Sequence, residues 1–439
     1  MRYLIKGILI LLLLFICTTC KSSKNTITIE KYKNVKIFEQ TDPTKIGPCE
    51  PSIFINPTNT QNIVVGSIID YVHTSFDGGK TWATKNLSST YGIWGDPCII
   101  ADMKGDFYYF HLSDPEGTNW NSNQILDRMV VQKSTNGGKN WDKGTSIGKH
   151  ESPKQQDKEW AVVNPFNNEI YVTWTEFDKY GSTLEKDKSR ILFSKSSDNG
   201  ISWTETSTLS ELEGDAIDDS ETVEGAVPAV GINGEIFCAW SLNNQIYFDR
   251  SVDGGKTWLK KDIIASDQPN GWEFEVPGFN RINGLPVTCV DLSESIHKGT
   301  IYINFADQRN GTNDTDIFIV KSTDNGTTWS KPKRVNNDKT KTHQFLTWMS
   351  VDPKNGYIYI VYYDRSKYKD SKTDVVLAVS KDGGNSFSNT TISESSFMPD
   401  ARVFFGDYNN IHAFNGVIRP VWTRYENGRL SVWTCLVND

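Results

Sequence analysis

Beyond the first thirty or so residues, apolar positions come in short runs of β-branched and aromatic residues, broken by clusters of Gly, Asn, Asp, Pro and Ser. Runs of roughly four to eight such residues between turn signals read as strands. No stretch keeps the 3.6-residue period of an amphipathic helix over a useful length. The pattern predicts an all-β protein.

The strands repeat. An octapeptide of the form S/T-x-D-x-G-x-x-W occurs as SFDGGKTW from Ser75, STNGGKNW from Ser134, SSDNGISW from Ser196, SVDGGKTW from Ser251, STDNGTTW from Ser322 and SKDGGNSF from Ser380. The intervals are 59, 62, 55, 71 and 58 residues, too long for small helical repeats and suited to a four-stranded propeller blade with generous loops. In the fifth period the four strands are LPVTCVDL, GTIYINFA, TDIFIVKS and SKPKRVNN, with the octapeptide between the last two. Seven first strands are legible: EPSIFINP, DPCIIAD, WAVVNP, AVPAVGIN, LPVTCVDL, FLTWMSVDP and GDYNNIHAF. The seventh period lacks the octapeptide and has only three strands before Asp439, so a strand from TITIEKYKNVKIFEQ is expected to complete the last sheet and close the ring. The expected fold is a seven-bladed β-propeller of four-stranded antiparallel blades. A six-bladed ring with a long terminal extension is the alternative.

The N-terminus follows another pattern. Arg2 and Lys6 flank the start of an apolar run, Leu4 to Ile16, shorter than the roughly 20 residues of a membrane-spanning helix and fitting the h-region of a secretory signal. The run ends in ICTTCKSSKN, which resembles the lipobox of bacterial lipoproteins. That resemblance implies diacylation of Cys20, which becomes the mature N-terminus. The expected organisation is a signal peptide over 1–19, a lipidated N-terminus and tether over 20–26, and a single propeller domain over 27–439. The expected location is the bacterial cell envelope, anchored at Cys20 and facing the periplasm or the cell surface.

A net charge of -8 with no long basic run argues against a nucleic-acid partner. The six His show no zinc spacing and there is no CxxC pair, so neither metal nor cofactor is expected. Cys238, Cys289 and Cys435 sit in apolar strands and read as buried structural thiols. Cys49 and Cys98 each adjoin an acidic-Pro pair, which leaves a disulfide between them open.

The octapeptide resembles the Asp-box, or BNR repeat, of the sialidase-like propeller superfamily, and the resemblance covers Ser75 to Phe387. The DGG and DNG sequences supply the positive φ of a tight turn between the third and fourth strands. The Asp oxygen is expected to accept hydrogen bonds from turn N–H groups and the Ser hydroxyl, and the aromatic residue to pack between blades. Asn136 replaces Asp in the second copy and Phe387 replaces Trp in the sixth. Acceptor geometry and bulk are kept while charge is dispensable, so the box reads as a structural staple.

Chemistry is then expected on the opposite face, in the loops that enter first strands and leave second strands. Those loops carry Glu50, Asp96, Asp157, Glu159, Glu221, Glu224, Arg281, His343, Arg402 and Asp407, then Asp70, Glu176, Asp307, Arg309, Asp364, Arg365 and Arg424. One reading is salt bridges between blades. The other is a sugar site with a carboxyl pair for acid and base or nucleophile work and arginines gripping an anionic group. The candidate catalytic residues are Asp364, Asp307, Glu224, Asp70 and Tyr363. The candidate substrate-binding residues are Arg281, Arg309, Arg365, Arg402, Asp407, Glu50 and Asp96.

The resemblance implies an Asp acid/base where Asp70 lies, with Glu224 suiting the family's Glu and Tyr363 or Tyr408 its phenol. The arginines depart from it: EPSIFINP has no Arg-Ile-Pro, and the fourth blade leaves its second strand through CAWSLNNQ without an Arg. Seven blades also differ from the six expected of sialidases. The expectation is therefore a monomeric glycosidase or polysaccharide lyase acting on an acidic or branched saccharide, a true sialidase being disfavoured. A non-catalytic propeller that binds glycan or protein is the alternative.

Overall fold

The computed structural model describes residues 32–439. Its strands form seven antiparallel sheets, with inner strands Ser52–Ile55, Gly95–Ala101, Gln155–Val163, Glu224–Val230, Val287–Val290, Gln344–Val351 and Asn410–Phe414 in blades 1 to 7. In blades 1 to 6 the four strands follow in chain order from the inside out. The only helical turn among the described residues is Asn119–Asn121.

Blade 7 supplies three main strands of its own and a short one, Val437–Asn438, that pairs with Val417–Glu426. Its outer strand is Asn34–Glu39, which pairs antiparallel with Arg429–Cys435 from Asn34↔Cys435 to Glu39↔Ser431. The segment that a six-bladed ring would leave as an extension thus completes the seventh sheet. Every strand of the ring lies within Asn34–Asn438, so a chain starting at Lys24 carries the whole fold.

All six octapeptides join a third strand to a fourth. At the fifth, Ser322 Oγ donates to Asp324 Oδ1 (2.7 Å) and accepts the Gly326 N–H (2.9 Å), while Asp324 accepts the N–H and hydroxyl of Thr328 (2.9 and 2.6 Å). The Thr328 hydroxyl, its N–H and the Ser322 hydroxyl hold the Asp324 carboxyl down at about 2. Asn136 accepts the Ser134 hydroxyl (3.1 Å) and the Asn140 N–H (2.9 Å) with no charge. Each box Trp packs into the seam with a neighbouring blade, as Trp329 does edge-on to Phe248 with centroids 5.0 Å apart. Asp324→Asn, which keeps the acceptor for the turn N–H and loses the charge, should therefore lower Tm less than Asp324→Ala, which removes both oxygens, in a thermal melt.

The axis of the ring is divided by an aromatic floor. Trp160 lies against Trp348 and Tyr408, with centroids 4.3 and 4.9 Å away. On the Asp-box side the inner strands enclose an apolar chamber of 320 Å³. On the other side, called the upper face here, charged residues crowd the axis. Four inner strands slip register just there, between Gly95/Cys98, Asp157/Trp160, Glu224/Val227 and Phe345/Trp348. At these bulges Asp96, Lys158, Gly225 and Leu346 have positive φ. A bulge re-aims one side chain out of the pleat, and at Lys158 it delivers an ammonium to the centre of the ring.

The five cysteines in the described residues are free. Cys49 and Cys98 are both buried, and Cys49 Sγ is directed to the Phe404 carbonyl at 3.8 Å. The disulfide left open between them is not formed, because their side chains serve different packing seams.

Candidate functional site

Seven of the residues singled out in the sequence meet at the upper end of the axis: Glu50, Asp96, Asp157, Glu159, Glu224, Arg281 and Asp407. Lys158 and Asp218 join them. Lys158 Nζ lies 2.8 Å from Asp407 Oδ2, with both side chains buried. Arg281 bridges two acids, its Nε 2.9 Å from Asp407 Oδ1 and its Nη1 2.9 Å from Asp218 Oδ2. The Asp407 N–H donates to Glu50 Oε1 (2.9 Å), and Asn283 Nδ2 donates to the Asp407 carbonyl (2.8 Å). The Tyr180 hydroxyl donates to Asp218 Oδ2 at 2.5 Å.

Seven carboxyl groups thus share two cations in a poorly solvated space, and they cannot all ionise. Burial pushes Glu50, Glu159 and Glu224 well above the usual carboxylate range. For Glu159 and Glu224, no side-chain oxygen has a hydrogen-bond partner among the described residues, which suits neutral acids better than anions. Asp407 goes the other way: burial opposes its charge, but Arg281 and Lys158 hold its carboxyl below the ordinary value.

Burial also pushes Asp157 up, to about 6. A raised folded-state value means that the proton is bound more tightly in the folded protein, so this group's stabilising contribution is complete below about 4 and is lost as pH rises through about 6. Asp157→Asn cannot ionise. The difference in Tm between this variant and the wild type should therefore shift in the variant's favour between those two pH values.

The cluster has two approaches. The connection from blade 4 to blade 5 crosses it, and residues 273–282 of that connection line a hollow of 530 Å³ to which Arg281 contributes. On another side Tyr180 stacks on Trp120 (centroids 5.5 Å apart, planes at 28°), whose indole is 52% exposed on the Asn119–Asn121 turn. Trp94 meets Trp120 edge-on at 5.9 Å. Trp120, Tyr180, Asp218 and Arg281 form a continuous strip from solvent to the buried acids. A flat aromatic face beside a guanidinium and proton-holding carboxyls can stack a ring, grip an anion and exchange a proton.

The other candidates lie apart from this strip. Asp364 accepts from Gln344 Nε2 (3.0 Å) and from the N–H and hydroxyl of Ser366 (3.0 and 2.6 Å), beside a small polar cleft between blades 5 and 6. Asp307 is held by Arg309 Nε at 2.9 Å, and Arg309 also reaches the Asp267 carbonyl (3.0 Å). Asp70 accepts from Asn86 Nδ2 (2.7 Å). The Tyr363 hydroxyl donates to the Thr423 carbonyl (2.5 Å) inside an aromatic cluster with Phe279, Phe345 and Phe405. Arg402 is exposed and paired with Asp400. Arg365 is buried without a carboxylate, its Nη1 donating to the Pro277 carbonyl (2.7 Å), so it braces the connection that carries Arg281.

Lys158, Asp218, Tyr180, Asn283 and Trp120 were not singled out from the sequence. Lys158 stands between two acids that were, and a cation inside Asp-Lys-Glu at the start of an inner strand is a usable signal. Asp218 and Asn283 lie inside long connections with no periodic mark.

Among solved structures, an ulvan lyase determined with -[GlcA(1-4)Rha3S]- bound has a TM-score of 0.56 at 12% identity, over 92% of this chain and 96% of that one. An α-L-arabinofuranosidase from Fusarium graminearum, in complex with an iminosugar inhibitor, has a TM-score of 0.50 at 10% identity, over 93% and 98%. A protein of unknown function from Dyadobacter fermentans has a TM-score of 0.50 at 13% identity, over 78% and 93%. These likenesses show a shared propeller fold. The family model of the BNR repeat-like domain matches residues 157–398, and with more than half of the sequence matched, the chain belongs to the BNR repeat-like family.

Proposed function

We propose that the protein is a glycan-processing enzyme, a glycosidase or polysaccharide lyase, that works at the upper face on an acidic saccharide. The observation that carries this reading is Arg281, which joins a hollow to a group of buried carboxyls, among them Asp218 and Glu224, that burial pushes above the usual carboxylate range. Arg281 would grip a carboxylate or sulfate, and Tyr180, Asp218 and Glu224 are the groups best placed to move a proton. Two propellers of like fold are named for activities on saccharides, an ulvan lyase and an arabinofuranosidase. This supports the substrate class without fixing the reaction.

The test is a panel of acidic and neutral polysaccharides incubated with the chain from Lys24. New reducing ends alone indicate hydrolysis, and reducing ends together with the ultraviolet absorbance of an unsaturated uronate indicate elimination. No turnover on any acidic glycan would count against the enzyme reading. A second reading, a glycan-binding propeller without catalysis, draws on the fact that both central cations are already paired with carboxylates; binding on a glycan array without turnover would favour it.

Envelope anchoring through Cys20 is part of the proposal and lies outside the described residues, as do the 1–19 signal peptide and the 20–26 tether. Cys20→Ala should abolish incorporation of a labelled fatty acid and move the protein out of the membrane fraction.

A further inference from the structure

The apolar chamber on the Asp-box side of the aromatic floor has no part in the reading above. Its wall includes Phe54, Ile100, Val162, Val227, Cys289 and Trp348, and no charged side chain lines it. Most of its polar groups are used elsewhere: Ser350 Oγ accepts the Ala413 N–H (3.0 Å), and His412 Nδ1 accepts the Ile55 N–H (3.2 Å) with its ring stacked on Phe54, while the Thr288 hydroxyl is left without a partner among the described residues. Burial keeps the His412 imidazole neutral, with its value lowered to about 3. Water filling this space would find few partners, and apolar voids of this kind hold apolar ligands instead.

The size and the mouth narrow the choice. A methylene fills about as much space as the ~30 Å³ of a liquid water, so 320 Å³ takes on the order of ten carbons. The far end is closed by Trp160, Trp348 and Tyr408. The open end is rimmed by Pro57, Met103, Pro165 and Pro353 from the turns between first and second strands. Exposed Lys104 directly follows Met103, and exposed Lys354 directly follows Pro353. The acids that precede these rim residues, Asp102 and Asp352, are buried and turned onto their own turns, where each accepts the lysine's backbone N–H, so the charges exposed at the rim are the lysines'. A dead-ended apolar shaft with lysines at its lip is complementary to an aliphatic chain that carries an anionic head.

We propose that this chamber binds one aliphatic chain, tail toward Trp160 and Trp348, with its carboxylate or phosphate head at the Asp-box face beside Lys104 and Lys354. The chain can come from a free fatty acid or from a phospholipid. Such a ligand would sit on the opposite side of the aromatic floor from Arg281.

Brominated chains test this, because bromine quenches only the indoles it touches. The chain from Lys24 is titrated with 11-bromoundecanoate below its micelle concentration and, separately, with phosphatidylglycerol vesicles containing dibrominated acyl chains. Quenching of up to about one seventh of the emission is expected, the share of two among 14 tryptophans. It should vanish in Trp160→Phe/Trp348→Phe, and 2-bromoundecanoate, with its bromine at the head, should quench far less. Cys289→Phe, which fills the shaft, should block the effect while circular dichroism confirms the fold. Quenching by the free acid alone assigns a soluble fatty acid, and by vesicles alone a bilayer lipid. No quenching in either arm, or quenching that survives loss of both floor indoles, overturns the proposal.

Discussion

Lys158→Met is expected to cost about 3–5 kcal/mol, the range for removing one partner of a buried ion pair. Lys158 Nζ lies 2.8 Å from Asp407 Oδ2 with neither side chain in contact with bulk water. Methionine keeps most of the stem volume and removes the charge, so the loss reads the electrostatics and little of the packing. Asp407 would keep Arg281, but the group would then hold seven carboxyls against one cation. Denaturant unfolding should show a lower midpoint at unchanged slope, and Asp407→Asn in the same chain should recover a large part of the loss. The deficit should also shrink in acid. The Asp407 carboxyl is held below the ordinary 3.8 in the folded protein, so its pairing stabilises above that value and fades as pH falls through the folded one. An equal deficit for the single and double variants at neutral pH would mean that packing accounts for the cost.

The second large effect is expected at Arg281. Arg281→Lys keeps a charge but loses the fork that spans Asp218 and Asp407, 2.9 Å to each. If the upper face processes an acidic glycan, kcat/KM should fall by roughly 10²-fold or more, with a Tm change far smaller than that of Lys158→Met. Arg402→Lys, at an exposed arginine paired only with Asp400, should leave turnover unchanged. Equal activity in both variants would remove Arg281 from the site.

The contrast between these arginines shows which information the sequence holds. The octapeptide interval carries the blade number because every copy meets the same demand, an acceptor for turn N–H groups and an aromatic for the seam. Local pairing is legible too. Asp307 and Asp364 each accept the backbone N–H of the residue two positions on, Arg309 and Ser366, both at 3.0 Å, and an acid followed at that spacing by a donor is committed to its own turn. Convergence at the axis is not legible. Asp218 and Arg281 lie in separate connections, Asp407 arrives from a third, and Lys158 faces them only because a bulge gives it positive φ. Reading strand ends finds most of the acids and one arginine of such a group, but misses the lysine that a bulge turns inward and the Asp218 that a long connection lowers onto it.

The seventh blade sets a condition on synthesis. Blades 1 to 6 each pair strands within one repeat, so each sheet can form as soon as its own stretch of chain is free to fold. Asn34–Glu39 has its partner at Ser431–Cys435 and must wait, unpaired, for nearly the whole chain. Its sequence, NVKIFE, sets Lys36 and Glu39 among the apolar residues, and charges of that kind make an idle strand a poor template for other chains. The first strand among the described residues is therefore the last to be used, and its charges suit it to stay soluble in the interval.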